Sequence, residues 1–289
     1  MQELKRQQPP MTVNEQIINL RNNGLIIENE DYARSFLNDV SYFRLIKAYS
    51  LGLKVKNGMY NKNTRFEDIV NLYLFNSNFR QRLFIEIEKV EVNLRCRLTN
   101  YFCEKYGVLG YEDINNFSIP SNVFHVFFDE IQKEIARNSR TPFVKNYQDN
   151  YIDGKIPMYA IVELLSFGTL SKLYKNMKNE DKKAVAKTFG VGYTYFESWI
   201  ESMAYVRNVC AHYGRLYNNK LVKTPKMYKQ YAEAGNNRIF ATLLTLKHIL
   251  PNDRHWHDFV QTVESLIKKY PIVNLRLIGF PKEWTKYLR

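Results

Sequence analysis

The segment that most constrains the fold runs from Phe66 to about Tyr106 and carries apolar residues at helical spacing. These residues recur every three or four positions, at Leu83, Ile87, Val90, Leu94 and Leu98. The spacing places them on one face of an α-helix, and such a face is buried against neighbouring helices. The segment is therefore predicted to form two helices or one bent helix.

Other segments also show helical patterns, and glycine and proline are sparse, at 12 and 9 residues. The expected helices are VNEQIINLRNNGLII, ended near Gly24; DYARSFLNDVSYFRLIKAY, with Phe36, Val40, Phe43 and Ile46 or Lys47 on one face; residues 122–137; MYAIVELLSF after Pro157, interrupted at Gly168 before TLSKLYKNM; and, further on, LLTLKHILP and HDFVQTVESLIKKYP. Asn57-Gly58 suits the tight turn of a small hairpin near 53–60. The prediction is an all-α multi-helix bundle, a single domain over 1–289 whose residues 1–11 form a flexible or docking arm.

The charge balance indicates an anionic partner. The chain of 289 residues has 42 lysines and arginines against 29 acidic residues, a formal net charge of +13. Such a charge is typical of proteins that bind nucleic acid or a membrane surface. The 21 tyrosines favour nucleic acid, because rings stack on bases while cations meet phosphates. The alternative is a basic surface without a specific ligand. Since no apolar run reaches the length of a membrane span, no membrane partner is expected.

The cysteines indicate a reducing compartment. Cys96, Cys103 and Cys210 are the three cysteines, and no two of them form a CxxC pair. A disulfide framework or a structural zinc site is therefore not expected. The N-terminal sequence MQELKRQQPPMTVNEQ lacks the apolar region of a signal peptide. We therefore predict a cytoplasmic protein.

One cluster offers candidate metal ligands. His255 and His257 lie beside Asp253 and Asp258. A solvated helix start after Pro251 explains these residues better than a metal site does. The sequence therefore predicts neither a metal nor a cofactor.

A short segment, YVRNVCAHYGRLYN at residues 205–218, combines a guanidinium, an amide and an imidazole in apolar surroundings. Upstream of it, Thr194 is followed three residues later by Glu197, the pattern of a capping box. The helix that begins there is predicted to run to Tyr213 and to stop at Gly214. The segment therefore falls in the last turns of a long helix.

The helical positions indicate where Arg207 points. It falls at the edge of an apolar stripe formed by Phe196, Trp199, Met203, Val206 and Cys210. A guanidinium there requires a carboxylate, a phosphate or an open pocket, because a buried lone charge is costly. Glu91 and Glu163 are the candidate counter-ions. The alternatives are an i,i+4 pair of Glu91 with Arg95, and a cap or core hydrogen bond for Glu163.

Asn208 and His212 lie four residues apart on a neighbouring face that also holds Tyr205, so the amide can orient the imidazole. Arg207 and His212 are about 140° apart on an ideal helix. They converge on one ligand only if the helix deforms or a second copy faces it. A neutral histidine can move the proton of an RNA 2′-hydroxyl, and an arginine can stabilise the charged transition state. The alternative is packing, with a core arginine pair and a histidine at a helix end.

RNVCAH, residues 207–212, resembles the Arg-polar-x3-His signature of HEPN-superfamily ribonucleases. The chain as a whole resembles the Abi-like abortive-infection proteins of the AbiD/AbiF type. Six stretches that run in the family's order carry this resemblance: QIINLRNNGLII, VSYFRLIKAY, FEDIVNLYLFNSNFRQRLFIEIEKVEVNLR, PMYAIVELLSFGTLSKLY, YVRNVCAHYGRLYN and IGFPKEW. The chain departs from the family where Met158 or Tyr159 replaces a common tryptophan, and where Phe43 replaces a tyrosine.

The resemblance implies a helical protein that dimerises so that two motifs line one ribonuclease site, and that acts in bacterial phage defence by cleaving RNA. It implies Arg207, Asn208 and His212 as the catalytic set, and the sequence positions of Glu91, Arg95, Glu163 and Tyr205 predict them as supporting residues. Two alternatives stay open. One is a module that binds RNA, such as a small non-coding RNA, without cutting it. The other is a regulatory protein that pairs with a toxin or antitoxin partner.

Overall fold

The computed structural model describes residues 9–55, 57–250 and 254–289. These residues form α-helices joined by turns, and they contain isolated bridges but no β-strand. The helices are α1 (Val13–Asn22), α2 (Glu30–Asp39), α3 (Phe66–Tyr106), α4 (Ser121–Arg137), α5 (Pro142–Asn150), α6 (Met158–Ile161), α7 (Phe167–Asn176), α8 (Asn179–Lys187), α9 (Tyr193–Ala211), α10 (Ile239–Ile249), α11 (Arg254–Lys269) and α12 (Thr285–Leu288). The predicted all-α class is confirmed. None of the helices in the described ranges has the length and apolar character needed to cross a bilayer.

The chain divides into two compact units. The first contains the described residues up to Phe79 together with Arg215–Asn218 and Val263–Asn274. The second contains Arg80–Gly214, Asn219–Thr262 and Leu275–Arg289. The single domain over 1–289 stays a prediction. So does the arm at 1–11, of which residues 1–8 lie outside the described part.

In the first unit, α1 begins with a capping box. The Thr12 hydroxyl accepts a hydrogen bond from the Glu15 N–H at 3.3 Å, and the Thr12 N–H donates to the Glu15 carboxylate at 2.7 Å. These two bonds satisfy donors that the first helical turn leaves without partners. The helix ends at Asn22, close to the predicted end at Gly24.

The predicted helix over DYARSFLNDVSYFRLIKAY is wrong in its second half. The helix α2 ends at Asp39, and the backbone of Val40 is extended. The residues after Val40 therefore no longer follow the helical spacing of α2. A π-helical turn, Phe43–Lys47, follows and buries Leu45 and Ile46. The side chain of Phe43, predicted to lie on the apolar face, is instead 77% exposed.

The predicted hairpin near 53–60 is reduced to one antiparallel bridge between Lys54 and Tyr60. The Val55 N–H donates to the Met59 carbonyl at 2.9 Å, and Gly58 has φ +86° in the turn between them. Residue 56 lies outside the described part of the chain.

The helix α3 is one continuous helix of 41 residues, where two helices or a bent one were predicted. Its residues from Arg80 onward belong to the second unit. All five members of the predicted stripe are fully buried, namely Leu83, Ile87, Val90, Leu94 and Leu98. The helical period therefore located the core face of this helix correctly.

The predicted helix over MYAIVELLSF forms only one turn, α6. The carbonyl groups of Val162 and Leu165 accept hydrogen bonds from the Arg95 guanidinium, the second at 2.7 Å. The backbone here bonds to a side chain of α3 rather than continuing a helix. The next helix, α7, is capped by the Ser166 hydroxyl. Gly168 therefore lies inside the first turn of α7. The predicted interruption of a helix at Gly168 is wrong.

A buried carboxylate joins α3 to α8 in the second unit. Asp181 is fully buried and accepts hydrogen bonds from Lys105 at 2.5 Å and from the hydroxyls of Tyr101 and Tyr106 at 2.7 Å. Burial by itself raises the pKa of Asp181. The three donors outweigh that effect and hold the pKa below its ordinary value. The charged form of this group therefore stabilises the fold.

We predict that Asp181→Ala lowers the free energy of unfolding by about 2 kcal/mol, because the hydroxyls of Tyr101 and Tyr106 lose their acceptor while Lys105 keeps only its pair with Glu180. Because the pKa is lowered in the folded state, this stabilisation is present at neutral pH and lost as the pH falls through that pKa. Urea unfolding of wild type and Asp181→Asn should show a difference at pH 7 that shrinks below about pH 4. Exposed Asp149 on α5 is the control, and an equal loss from Asp149→Ala would contradict the assignment.

Candidate functional site

The helix α9, which carries the arginine and histidine of the motif, begins at Tyr193 after Gly192, one residue before the predicted start. The capping box predicted for Thr194 and Glu197 is wrong. The Glu197 carboxylate instead pairs with Lys182 of α8 at 3.0 Å. A contact between helices therefore takes the side chain that a local cap would have used.

The helix ends at Ala211, with His212 as its C-cap, two residues before the predicted end. The Gly214 N–H donates to the Val209 carbonyl at 2.7 Å and closes the last turn. Tyr213, rather than the glycine, has the left-handed conformation, with φ +57°. Gly214 is required for a different reason, since a Cβ there would lie 2.7 Å from Cγ1 of Val209.

The predicted apolar stripe of α9 is confirmed, since Phe196, Trp199, Met203, Val206 and Cys210 are all buried. Burial raises the pKa of the Cys210 thiol to about 12, and the nearby Arg80 charge only partly opposes this shift. Cys210 is therefore held as a neutral thiol and packs as a small apolar side chain.

Glu91 is the counter-ion that the position of Arg207 required. Its Oε2 atom lies 3.4 Å from Nε of Arg207, and its Oε1 atom lies 2.6 Å from the guanidinium of Arg95. The Arg207 guanidinium also lies over the Phe84 ring, 5.5 Å from its centroid. Phe84 precedes Glu91 by seven residues on α3, so helical spacing places it on the same face, although it was not among the predicted site residues.

Glu163 does not serve as the counter-ion. It lies in the turn between α6 and α7, and its side chain is exposed. The sequence IVELLSF suggested burial because a continuous helix was assumed. Once Arg95 binds the backbone of this turn, the residue faces outward.

Asn208 and His212 are both exposed at the end of α9. The His212 N–H donates to the Asn208 carbonyl at 3.0 Å as part of the helix. Their side chains, both within the described part, form no hydrogen bond with each other. The predicted orientation of the imidazole by Asn208 is therefore not present.

Two cavities of the second unit flank the end of α9. The Asn208 cavity, of about 380 Å³, is lined by Gly168, Lys172, Lys175, Tyr205, Asn208 and Lys223. The Phe84 cavity, of about 250 Å³, is lined by Arg80, Gln81, Phe84, Cys210, Ala211 and Tyr213. The lysines of the first cavity come from α7 and from the segment after α9, and they were not among the predicted site residues because no local spacing links them to the motif.

The two histidines considered as metal ligands lie at the start of α11. His257 contacts Gln261, four residues on, at 2.9 Å along the helix. Residues 251–253, which include Pro251 and Asp253, lie outside the described part. Within the described ranges, no group of three or more histidine, cysteine and acidic side chains is arranged to hold a metal.

These features define an all-α protein with an Arg-Asn-x3-His motif, in which a buried carboxylate holds the arginine and the histidine is exposed. Residues 35–218 match the family described as Abi-like protein, and the chain belongs to that family. Membership suggests involvement in abortive infection. No curated protein and no solved structure shows significant similarity to the chain.

Removing the Glu91 carboxylate should lower the free energy of unfolding more than removing one of its two arginine partners. Glu91→Ala leaves the guanidinium groups of Arg95 and Arg207 without it, and should lower the free energy of unfolding by about 3–5 kcal/mol. Arg207→Ala leaves Glu91 paired with Arg95 and should cost only about 1 kcal/mol. Urea unfolding measures both, with the exposed Glu88→Ala on the same helix as a control of near-zero effect. An equal cost for Arg207→Ala and Glu91→Ala would contradict this assignment.

Proposed function

We propose that the protein is a metal-independent endoribonuclease of the HEPN type, related to the AbiD/AbiF proteins, that acts in abortive infection as a phage defence and is toxic to its own cell. The observation that carries the proposal is the difference between the surroundings of Arg207 and those of His212. Arg207 is anchored by Glu91 and Phe84 while 31% of its side chain stays exposed, and His212 is exposed at the helix end. The net charge of +13 supports RNA as the partner.

The proposed reaction needs only the chemistry of these side chains. A neutral imidazole of His212 takes the proton of an RNA 2′-hydroxyl, and the 2′-oxygen attacks the adjacent phosphorus. The bond from phosphorus to the 5′-oxygen breaks, and an imidazolium gives that oxygen a proton. Arg207 stabilises the negative charge on the phosphorane-like transition state. The products are a 2′,3′-cyclic phosphate and a 5′-hydroxyl.

His212→Ala should abolish cleavage and cell toxicity with little change in melting temperature, because the side chain is exposed. Cleavage of total bacterial RNA by wild type should persist in EDTA, and a 2′-deoxy nucleotide at the scissile position should block it. Arg207→Ala should also abolish cleavage. Loss of cleavage on chelation with rescue by magnesium, or wild-type cleavage by His212→Ala, would contradict the mechanism.

The active unit is proposed to be a homodimer. The reaction takes one proton and gives one, while each chain has one such motif. Arg207 contacts α3, whereas His212 is exposed, so the two groups face different directions on one helix. A second copy of the helix end would supply the second imidazole through a self-complementary contact.

A shared site makes the His212→Ala chain inhibitory. Added in excess to wild type, it should reduce cleavage per wild-type chain, because mixed dimers contain one imidazole. An equal excess of an unrelated protein such as serum albumin, which cannot enter the dimer, should not reduce it. Cleavage that stays proportional to the wild-type chain, or full activity of a monomer at nanomolar concentration, would contradict the shared site.

A module that binds RNA without cutting it is the second candidate. The Asn208 cavity, with its three lysines and a tyrosine, favours it. Binding without cyclic-phosphate products would distinguish it from the nuclease. A toxin or antitoxin partner and a cytoplasmic location stay predictions from the sequence.

A further inference from the structure

The wall of the Asn208 cavity that α9 contributes is one helix face. Glu201, Ala204, Tyr205 and Asn208 line it, and they follow each other at helical intervals of three, one and three residues. His212 is four residues beyond Asn208, in the next position along the same face. Four residues span about 6 Å along a helix axis. The cavity therefore opens within about one helical turn of the proposed catalytic imidazole.

The opposite wall comes from α7 and is basic. Lys172 and Lys175 line the cavity from this helix, and Lys223 lines it from the segment after α9. Lys175 is exposed and has no carboxylate partner in the described part of the chain. Lys172 pairs with Glu130 and Lys223 with Glu201, and the side chains of these pairs are about half exposed to solvent. Since exposed pairs contribute little stability, both lysines can turn to a phosphate at low cost.

The remaining residues that line the Asn208 cavity suit a nucleobase, which has an apolar ring and a polar edge. Gly168 and Ala204 leave open space in the cavity, and Tyr205 is half-buried in its wall. The exposed Asn208 amide can donate and accept, since it forms no side-chain hydrogen bond with His212. The volume of about 380 Å³ lies in the lower part of the range of about 300–1,000 Å³ typical of small-ligand sites. One nucleotide fits that size better than several do.

We propose that the Asn208 cavity is a subsite for the RNA nucleotide next to the scissile bond. Lys175 meets its phosphate, Tyr205 packs against its base, and Asn208 hydrogen-bonds the base or the ribose. Asn208 is then a substrate-binding residue rather than the residue that orients the imidazole. This assignment rests on the proposed ribonuclease function. It adds to that function a position for the RNA strand relative to the C-terminal end of α9.

Gly168 provides a direct test of occupancy. It lies inside the first turn of α7, and a Cβ added there would meet only the Ser166 hydroxyl, at 3.5 Å. Gly168→Ala is therefore tolerated and is the matched control. Gly168→Leu extends a larger side chain into the cavity. The probe is a fluorescein-labelled, single-stranded 2′-fluoro RNA, which lacks the attacking hydroxyl, so binding is measured by anisotropy on the full chain without cleavage.

Gly168→Leu should raise the Kd of this RNA by about tenfold relative to Gly168→Ala, a factor within the range expected for one stacked base. Lys175→Gln, an exposed change that keeps the fold, should weaken binding and reduce the slope of log Kd against log salt by about one. Lys187→Gln, exposed on α8 and away from the cavity, should leave the Kd of this RNA unchanged.

Equal Kd values for Gly168→Leu and Gly168→Ala would overturn the subsite. So would an equal loss from Lys175→Gln and Lys187→Gln, since that would indicate general attraction to a basic surface. Adenosine monophosphate is the competitor that distinguishes the source of the nucleotide. If Gly168→Leu abolishes its binding but leaves RNA binding unchanged, the cavity takes a free nucleotide and the strand subsite is wrong. Because the probe cannot be cut, a failure of wild type to cleave ordinary RNA leaves this test intact.

Discussion

The buried carboxylate of Glu91 is the interaction on which the geometry around the motif depends. One of its oxygens accepts a hydrogen bond from Arg95 at 2.6 Å, and the other forms a longer ion pair with Arg207, at 3.4 Å and without a hydrogen bond to Nε. With its remaining donors, Arg95 binds the carbonyl groups of the turn between α6 and α7. The same carboxylate therefore fixes the proposed catalytic arginine and, through Arg95, the turn that leads into α7. That helix carries Gly168, Lys172 and Lys175 of the Asn208 cavity. A buried carboxylate has to keep at least one partner, because leaving it with none costs several kcal/mol.

Different faces of the helix α9 make different contacts. The stripe from Phe196 to Cys210 is buried and gives the helix its place in the core of the second unit. Arg207, at the edge of that stripe, contacts α3, whereas Asn208 faces the cavity lined by α7. Neighbouring residues of a helix differ by about 100° in direction. The core stripe, Arg207 and Asn208 can therefore face three different surroundings without any distortion of the helix. The helix is regular up to Ala211, and only at Tyr213 does the backbone adopt the left-handed conformation.

The periodic parts of the fold could be predicted from the sequence, because they depend on local spacing. The stripes of α3 and α9, and Glu91 as a candidate partner of Arg207, follow from helical intervals. Two of the failures share one physical cause, which is a tertiary contact that overrides a local pattern. Glu197 had the spacing of a capping box, yet it pairs with Lys182, while the same pattern at Thr12 and Glu15 does form a box. MYAIVELLSF had a helical composition, yet its carbonyl groups bind Arg95, from a helix more than sixty residues earlier in the chain.

Arg207 and His212 differ in how much of their geometry the chain itself determines. An anchored guanidinium is preorganised, since its position is set before any ligand arrives. An exposed imidazole is not, because the hydrogen bond made by one ring nitrogen normally decides the tautomer and the direction of the other. No described residue supplies that bond to His212, and Asn208, the obvious candidate by spacing, faces the cavity instead. In the proposed reaction, bound RNA or a second copy of the helix end would supply that bond. On that proposal, Arg207 is held in place in the single chain, and His212 becomes oriented when the partner binds.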